Sequence, residues 1–387
     1  MRILTFSSLY PSAARPSHGV FVENRLRELI EGGEVESRVM CPVPWAPPVG
    51  GSYAAYRNTE HHAVRHGISV SYPRYVLIPK IGMSAAPGTM FVSLYGKVRQ
   101  MIRDGYDFDL IDAHYFYPDG VAAAMMGRLL RKPVVITSRG TDINLIPAYQ
   151  IPRRQILWAA RQASGLITVC QALKDTLVEM GVAPEKIHTL RNGVDLVRFQ
   201  PQNREAARTA FGAQGKTLLS VGHLIERKGH DLVIEAMQAL PDYQLLIVGE
   251  GPERASLAAL AASLGVAERV KFIGSLPPER MTELYNAGDA LILASSREGW
   301  ANVLLESMAC GTPVVASNVW GTPEVVTSLA AGVLMRDRTP DGVAEGVRAL
   351  FSALPIRSET RRHAEDFSWE ATTRGQMALF RSILQTG

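Results

Sequence analysis

Cysteine is scarce and scattered. The 387 residues hold only Cys41, Cys170 and Cys310, with no Cys-x-x-Cys pair, so neither a disulfide framework nor a zinc site is expected and a reducing compartment fits. Long apolar runs are missing as well. No stretch reaches the roughly 18 apolar residues of a membrane-spanning helix. The opening MRILTFSSLYP has one arginine, a short strand-like run and Pro11, without the apolar core or small-residue cleavage site of a signal peptide. Aromatic residues make up 7% of the chain and are not interleaved with basic ones, so nucleic acid is not an expected partner. Apart from an Asp-x-Asp at Asp107–Asp109, no carboxylate or histidine cluster has metal-ligand spacing. These absences lead to the expectation of a soluble cytoplasmic protein.

What is present is an ordinary globular composition, 47% apolar and 20% charged, long enough for two domains with a core each. The net charge of +4 is unevenly spread: residues 1–200 carry 23 Lys/Arg against 16 Asp/Glu, and residues 201–387 carry 18 against 21. Residues 51–100 alone hold six basic residues against one acid, with His61, His62 and His66 besides. The first half is therefore expected to face something anionic.

Apolar runs rich in Val, Ile and Leu alternate with helical patterns along nearly the whole chain. In the first half the predicted strands are Arg2–Ser8, Ser37–Val43, Ile68–Tyr72, Leu110–His114, Val134–Ser138, Leu166–Val169 and Ile187–Arg191. In the second they are Thr217–Val221, Gln244–Val248, Val270–Ile273, Ala290–Ala294, Val314–Ala316 and Val333–Met335. Between them lie helical segments such as VFVENRLRELI, with Phe21, Leu26, Leu29 and Ile30 at helical spacing. Strands this apolar are buried on both faces, as in parallel sheets covered by helices. Each half thus reads as a doubly wound α/β domain, 1–200 and 201–367, with a helix over about 368–387 crossing back onto the first. Ligands of such sheets bind beyond the carboxyl ends of the strands.

Where strand Ala290–Ala294 ends, the string SSREGWANVLLESMACGTPVVAS makes a Glu298-Gly299 turn and a helix starting near Ala301. The first turn of that helix offers unpaired N–H groups and a positive dipole end to a phosphate. Glu298 would lie beside a phosphate-linked group and accept from sugar hydroxyls. Glu306 sits among Leu304, Leu305, Met308 and Ala309; a carboxylate there needs donors, and a ribose diol supplies two. In LLSVGHLIERKGHDLVIEAMQAL the pair Arg227-Lys228 follows a glycine turn. Lys228 there can neutralise a diphosphate as its bond to carbon breaks. LLIVGEGPER ends a strand with Gly249 and Gly251, but Arg254 stands where a dinucleotide fingerprint has its third glycine. That argues against a dehydrogenase.

These strings, with VKFIGSLP, TLRNGVDLVRFQP and PSHGVFVENRLREL, resemble the retaining glycosyltransferases of family 4. The resemblance implies the GT-B fold, two facing Rossmann-like domains with a cleft between them. It also implies transfer of a sugar from a nucleotide-diphosphate donor to a hydroxyl without a metal or permanently bound cofactor. Glu298 would contact the donor sugar and Lys228 the diphosphate. Backbone N–H groups around Gly299, Trp300, Ala301 and Asn302 would hold sugar and phosphate, and Glu306 would bind the ribose. The turn at Gly249 belongs to the donor site, Phe272, Ile273 and Gly274 would lie along the base, and Gly19 would let phosphate or acceptor approach closely.

The chain departs from the family pattern at two positions. His223 stands where an arginine is usual five residues before the lysine, with Arg227 as its replacement, and Arg139 stands where a histidine is frequent after ITSRG. Arg139 can bind phosphate or an anionic acceptor but cannot act as a base. His114, at the end of LIDAH, becomes the candidate for contacting the reacting sugar, with Asp142 to orient it or Arg139. The Asp-x-Asp at Asp107–Asp109 matches a metal motif of another glycosyltransferase fold but reads here as the polar entry to a strand. The expected acceptor is a bacterial surface glycan or a lipid-linked one, and basic segments within 51–103 would allow peripheral contact with anionic lipid at the inner face of the plasma membrane. Two rivals share the architecture: a sugar phosphorylase or hydrolase, and a non-catalytic two-domain sugar-binding protein.

Overall fold

The computed structural model describes residues 1–45, 54–77 and 82–386. Two compact units are formed, one by Met1–Asn192 with Glu370–Gly387, the other by Gly193–Trp369. Residues 193–200, read from sequence as the end of the first domain, pack with the second unit. There the Val194 N–H donates to the carbonyl of Phe367 at 2.9 Å, and the Thr282 hydroxyl donates to that of Arg198 at 3.1 Å.

In the first unit the strands are β1 (Arg2–Phe6), β2 (Glu36–Met40), β3 (Val43–Trp45), β4 (His62–Arg65), β5 (Ile68–Ser71), β6 (Arg74–Val76), β7 (Leu110–His114), β8 (Val134–Ser138), β9 (Gly165–Thr168) and β10 (Ile187–Thr189). The main sheet has the order β10-β9-β8-β7-β1-β2-β5-β4. All its pairs are parallel except β4 with β5. The sheet is therefore mixed at one edge, where sequence reading expected parallel strands throughout. β4 was missed because HAVR is polar and half-exposed, as an edge strand tends to be. The predicted strand Ser37–Val43 breaks at Cys41-Pro42, where proline supplies no N–H to the ladder, and β3 pairs with β6 instead.

The second unit is built on β11 (Lys216–Val221), β12 (Tyr243–Val248), β13 (Val270–Gly274), β14 (Ala290–Leu293), β15 (Val314–Ser317) and β16 (Gly332–Met335). All are parallel, in the order β13-β12-β11-β14-β15-β16. In each sheet the order reverses beside a central strand: between β1 and β7 in one, between β11 and β14 in the other. Loops leaving the carboxyl ends at such a reversal diverge and leave a crevice.

Asp109 receives the Arg2 N–H at 2.8 Å, and Asp107 pairs with Lys132 at 2.7 Å. The Asp-x-Asp string is tied to strand and helix ends. Residues 51–53 and 78–81 of the basic stretch lie outside the described residues. Its described part contains β4–β6 and the helix Gly82–Arg103, which buries Ala86, Met90, Leu94 and Val98. Among the described residues, no helix is long and apolar enough to cross a membrane.

The helix Trp369–Thr386 joins the core of the first unit. Met377, Leu379, Phe380 and Ile383 pack with Ile3, Val22, Leu26, Leu110, Val135 and Ile167. Of the predicted face of helix Val20–Glu31, Leu26 and Leu29 are buried, whereas Phe21 and Ile30 are half-buried and Val22 takes the core position. Buried Gln376 bridges two charges: its carbonyl accepts from Arg25 Nε at 2.8 Å and its amide donates to Asp112 Oδ2 at 2.9 Å. Gln376→Leu strands both groups in the interior. The expected cost is about 2–4 kcal/mol, read as a lower midpoint for unfolding of the first unit.

Asp119 is buried and accepts from the Ser8 N–H at 2.5 Å and the Ser8 hydroxyl at 2.9 Å. Burial pushes its carboxyl from 3.8 up to about 7, against the lowering effect of those bonds. Because the folded value is the higher one, its contribution to stability is complete below the unfolded value and is lost as pH rises through the folded one. Asp119→Asn removes that decline. The thermal midpoint of the variant minus that of the wild type is expected to increase from pH 5 to pH 8.

Candidate active site

The reversal in the second sheet places two loops side by side, residues 222–229 after β11 and 294–301 after β14. Gly229 has φ +69°, and a Cβ there would lie 2.2 Å from the carbonyl oxygen of Ala294. A side chain would force the loops apart. The Ser296 N–H donates to the Arg227 carbonyl at 2.8 Å, and buried His230 anchors the turn through Nδ1, 2.8 Å from the Ser220 hydroxyl. Burial, then the Lys228 charge, push that imidazole down to about 4, so it is neutral.

On this frame Lys228 Nζ lies 2.6 Å from Glu298 Oε1, and Arg227 Nη1 lies 3.7 Å from the same oxygen. Glu298 is only 8% exposed. Burial pushes its carboxyl up, but the Lys228 charge and hydrogen bond, with Arg227, bring it below the ordinary value. The carboxylate is thus ionised and held by cations. Arg227 also donates to the Arg297 carbonyl at 2.7 Å. His223, at the position of the missing arginine, is exposed, and its carbonyl accepts the Ile225 N–H.

Gly249 has φ +139°, and a Cβ on it would fall 1.8 Å from the Gly222 carbonyl oxygen, so glycine is required where the β11 and β12 loops meet. The Gly249 N–H donates to the Gly274 carbonyl at 3.0 Å. β13 carries an irregularity at this end, since Ile247 pairs with Phe272 but Val248 pairs with Gly274, skipping Ile273. The Phe272 ring is covered by the Arg254 guanidinium, 3.9 Å from its centroid. Of the three residues expected along the base, Phe272 has its ring and Gly274 its carbonyl already engaged.

Glu298 leads through buried Gly299, Trp300 and Ala301 into the helix Asn302–Ala309, which has no side-chain N-cap. Trp300 packs against Phe367, with ring centroids 6.1 Å apart. The Asn302 and Leu304 N–H groups donate back to Trp300 and Ala301. About one turn along, Glu306 is half-buried, and its Oε2 accepts the Tyr285 hydroxyl at 2.7 Å. Of the donors that Glu306 needs, one is Tyr285 from the neighbouring helix Pro278–Ala287, besides the ribose diol that the sequence pointed to. Burial raises the Glu306 carboxyl, with Tyr285 and Arg198 acting the other way.

In the first unit, β7 and β8 bring His114 and Arg139 together. Arg139 Nη2 donates to His114 Nδ1 at 2.6 Å and Nη1 to Asn192 at 2.9 Å. His114 Nε2 lies 3.2 Å from Asp112 Oδ2. Burial pushes the ring down to about 4, so it is neutral and Nε2–H faces the carboxylate. Both nitrogens are engaged and the side chain is buried. His114 therefore holds Arg139 in place, where sequence reading had it touch a sugar. Asp142 also differs from expectation: its carboxylate accepts backbone N–H groups of Phe116, Arg139 and Gly140 and orients neither side chain. Gly19 has φ +73°, and a Cβ there would lie 2.3 Å from the Leu9 carbonyl carbon. Close approach of the chain to itself, rather than of a ligand, requires this glycine.

Tyr285, Asp112, Arg25, Asn192 and Gln376 were not found from sequence. Asp112 carried a usable signal, because it is two residues before His114 on one strand and so on the same face. Among the described residues, no group of three or more His, Cys, Asp or Glu side chains could hold a metal ion.

The family model "Glycosyltransferase Family 4" matches residues 20–198, and "Glycosyl transferases group 1" matches residues 201–367. The putative teichuronic acid biosynthesis glycosyltransferase TuaC of Bacillus subtilis (strain 168) is 29% identical over 361 residues, 90% of this chain and 88% of that protein. D-inositol 3-phosphate glycosyltransferase 1 of Catenulispora acidiphila is 28% identical, covering 100% of this chain and 97% of its own. Sucrose-phosphate synthase from Thermosynechococcus elongatus has the same fold, with TM-score 0.80 at 18% identity over 100% of this chain and 99% of its own. Anabaena Alr3699/HepE, solved with UDP-glucose, gives 0.73 at 20% identity over 98% and 99% of the two chains. With both halves matched and both sheets of the GT-B kind, the chain belongs to glycosyltransferase family 4 and is a GT-B glycosyltransferase.

Proposed function

We propose that the enzyme moves a sugar from a nucleoside diphosphate sugar to a hydroxyl acceptor with retention of anomeric configuration. One observation carries the reading: half-buried Lys228 and buried Glu298 are paired at 2.6 Å where the sheet order reverses, beside the start of the helix that bears Glu306. A diphosphate entering there competes for Lys228. Glu298 is then released to sugar hydroxyls, while Arg227 and the amino end of helix Asn302–Ala309 take further phosphate charge. Glu306 accepts from the ribose. As the bond between sugar carbon and diphosphate oxygen breaks, the acceptor oxygen bonds to the same face of that carbon. Its proton passes to the departing diphosphate, so catalysis is positioning and charge stabilisation.

UDP sugars are the first donors to test, since Anabaena HepE was solved with UDP-glucose. On the acceptor side, Arg139 is the group for an anion. The relatives support this, being named for teichuronic acid biosynthesis and for inositol 3-phosphate, both acidic. The reading places the enzyme in bacterial surface glycan or glycolipid synthesis, in the cytoplasm at the inner membrane face.

Thermal-shift measurements across UDP and GDP sugars are expected to pick out one donor, with about 2.7 kcal/mol of stabilisation at a hundredfold excess over Kd. Glu298→Gln is expected to lower kcat by about 10²–10³-fold in a folded protein, and near-wild-type turnover would overturn the assignment. Activity is expected to survive chelation by EDTA. Arg139→Met is expected to raise KM for an anionic acceptor while leaving donor affinity unchanged, measured by steady-state kinetics and calorimetry.

A further inference from the structure

Glu306 Oε2 is bound by a hydroxyl that cannot turn away. Tyr285 is fully buried, and burial, then Glu306 itself, hold its phenol well above its ordinary value, so it stays a donor. The helix turn that carries it is pinned on several sides. The Thr312 hydroxyl donates to the Tyr285 carbonyl at 2.7 Å, and the Phe199 ring meets Tyr285 edge-on with centroids 6.0 Å apart. The next residue, Asn286, donates to the carbonyls of Gln200 at 3.0 Å and Thr282 at 2.9 Å and accepts the Gln202 N–H at 2.8 Å. The phenol is thus a fixed donor aimed at one carboxylate oxygen.

We propose that Tyr285 is a positioning residue for the ribose: by holding Oε2 it sets the Glu306 carboxylate plane, presents Oε1 to the ribose hydroxyls and keeps the group ionised for them. This rests on the reading of Glu306 as the ribose acceptor. The charged and titratable groups facing Glu306 are Tyr285 from helix Pro278–Ala287, Arg198 from residues 193–200, and Cys310 at the carboxyl end of its own helix. Arg198 remains a cation, and the Cys310 thiol, pushed up to about 12 by burial, remains neutral. Of this set, Glu306 is the group whose charge the phenol donor controls. Its carboxyl is already raised by burial, so loss of the phenol donor raises it further, and the protonated form cannot accept from both hydroxyls of a diol.

The test uses the full chain and whichever of UDP and GDP binds it more tightly, alongside the 2′,3′-dideoxy form of that nucleotide. Affinities are measured by calorimetry at pH 6, 7 and 8. The wild type is expected to favour the parent nucleotide at every pH. Tyr285→Phe is expected to lose about tenfold for the parent, more at pH 6 than at pH 8, and nothing for the dideoxy form. Thr312→Val, which loosens the same turn while leaving the phenol in place, is expected to give a smaller loss with the same selectivity, and stands in if Tyr285→Phe does not fold. Equal weakening of both nucleotides, or full discrimination retained at each pH, overturns the role of Tyr285. Failure of the underlying reading looks different: the wild type itself then makes no distinction between the two nucleotides, and Glu306→Gln changes neither affinity.

Discussion

Glu298 is a carboxylate buried inside a protein, and that is tolerable because Lys228 sits 2.6 Å away with Arg227 beside it. An isolated ion in the interior costs several kcal/mol, and its partner must be held in good geometry to offset this. Much of the second unit serves that requirement. Gly229 lets the β11 loop touch the β14 loop, Gly249 lets the β12 loop close behind, and His230 bolts the turn to the end of β11. The cation and the acid are therefore in position before any ligand arrives. On the proposed reading, a diphosphate then replaces one well-placed anion with another, with little reorganisation.

Eight positions separate Glu298 from Glu306 in sequence, and their surroundings push them in opposite directions. Cations hold Glu298 below the ordinary range, whereas burial lifts Glu306 and a neutral phenol supports it. Such a division suits groups with different tasks. On the proposed reading the first is a charge partner to be exchanged, and the second an ionised hydrogen-bond acceptor whose direction is set by Tyr285.

The first unit solves a related problem differently. Two buried arginines, Arg25 and Arg139, share a region with Asp112, yet no guanidinium touches that carboxylate directly. Gln376 and His114 stand between them. His114 stays neutral, accepting from the arginine on one side and donating to the aspartate on the other. That fixes its tautomer and holds the Arg139 guanidinium over Phe21, 5.4 Å from the ring centroid. The C-terminal helix supplies Gln376, so a segment remote in sequence completes the arrangement.

Residue order alone determined the α/β class, most of the strands and the two strings that bear the acidic and basic groups. Those depend on apolar periodicity and glycine turns, which are local. Edge strand β4 was illegible because its pattern is weak, and the break at Pro42 shows how a single missing N–H redirects a ladder. Only tertiary structure decided which groups meet. Lys228 and Glu298 lie 70 residues apart and pair because β11 and β14 are neighbours at the point where the strand order turns. His114, expected to contact a sugar, meets Arg139 and Asp112 through its two ring nitrogens instead, and the Tyr285 hydroxyl meets Glu306, a pairing that no spacing announced. Side-chain partners depend on which strands and helices lie adjacent, and adjacency is set by the packing of whole elements rather than by the residues within any one of them.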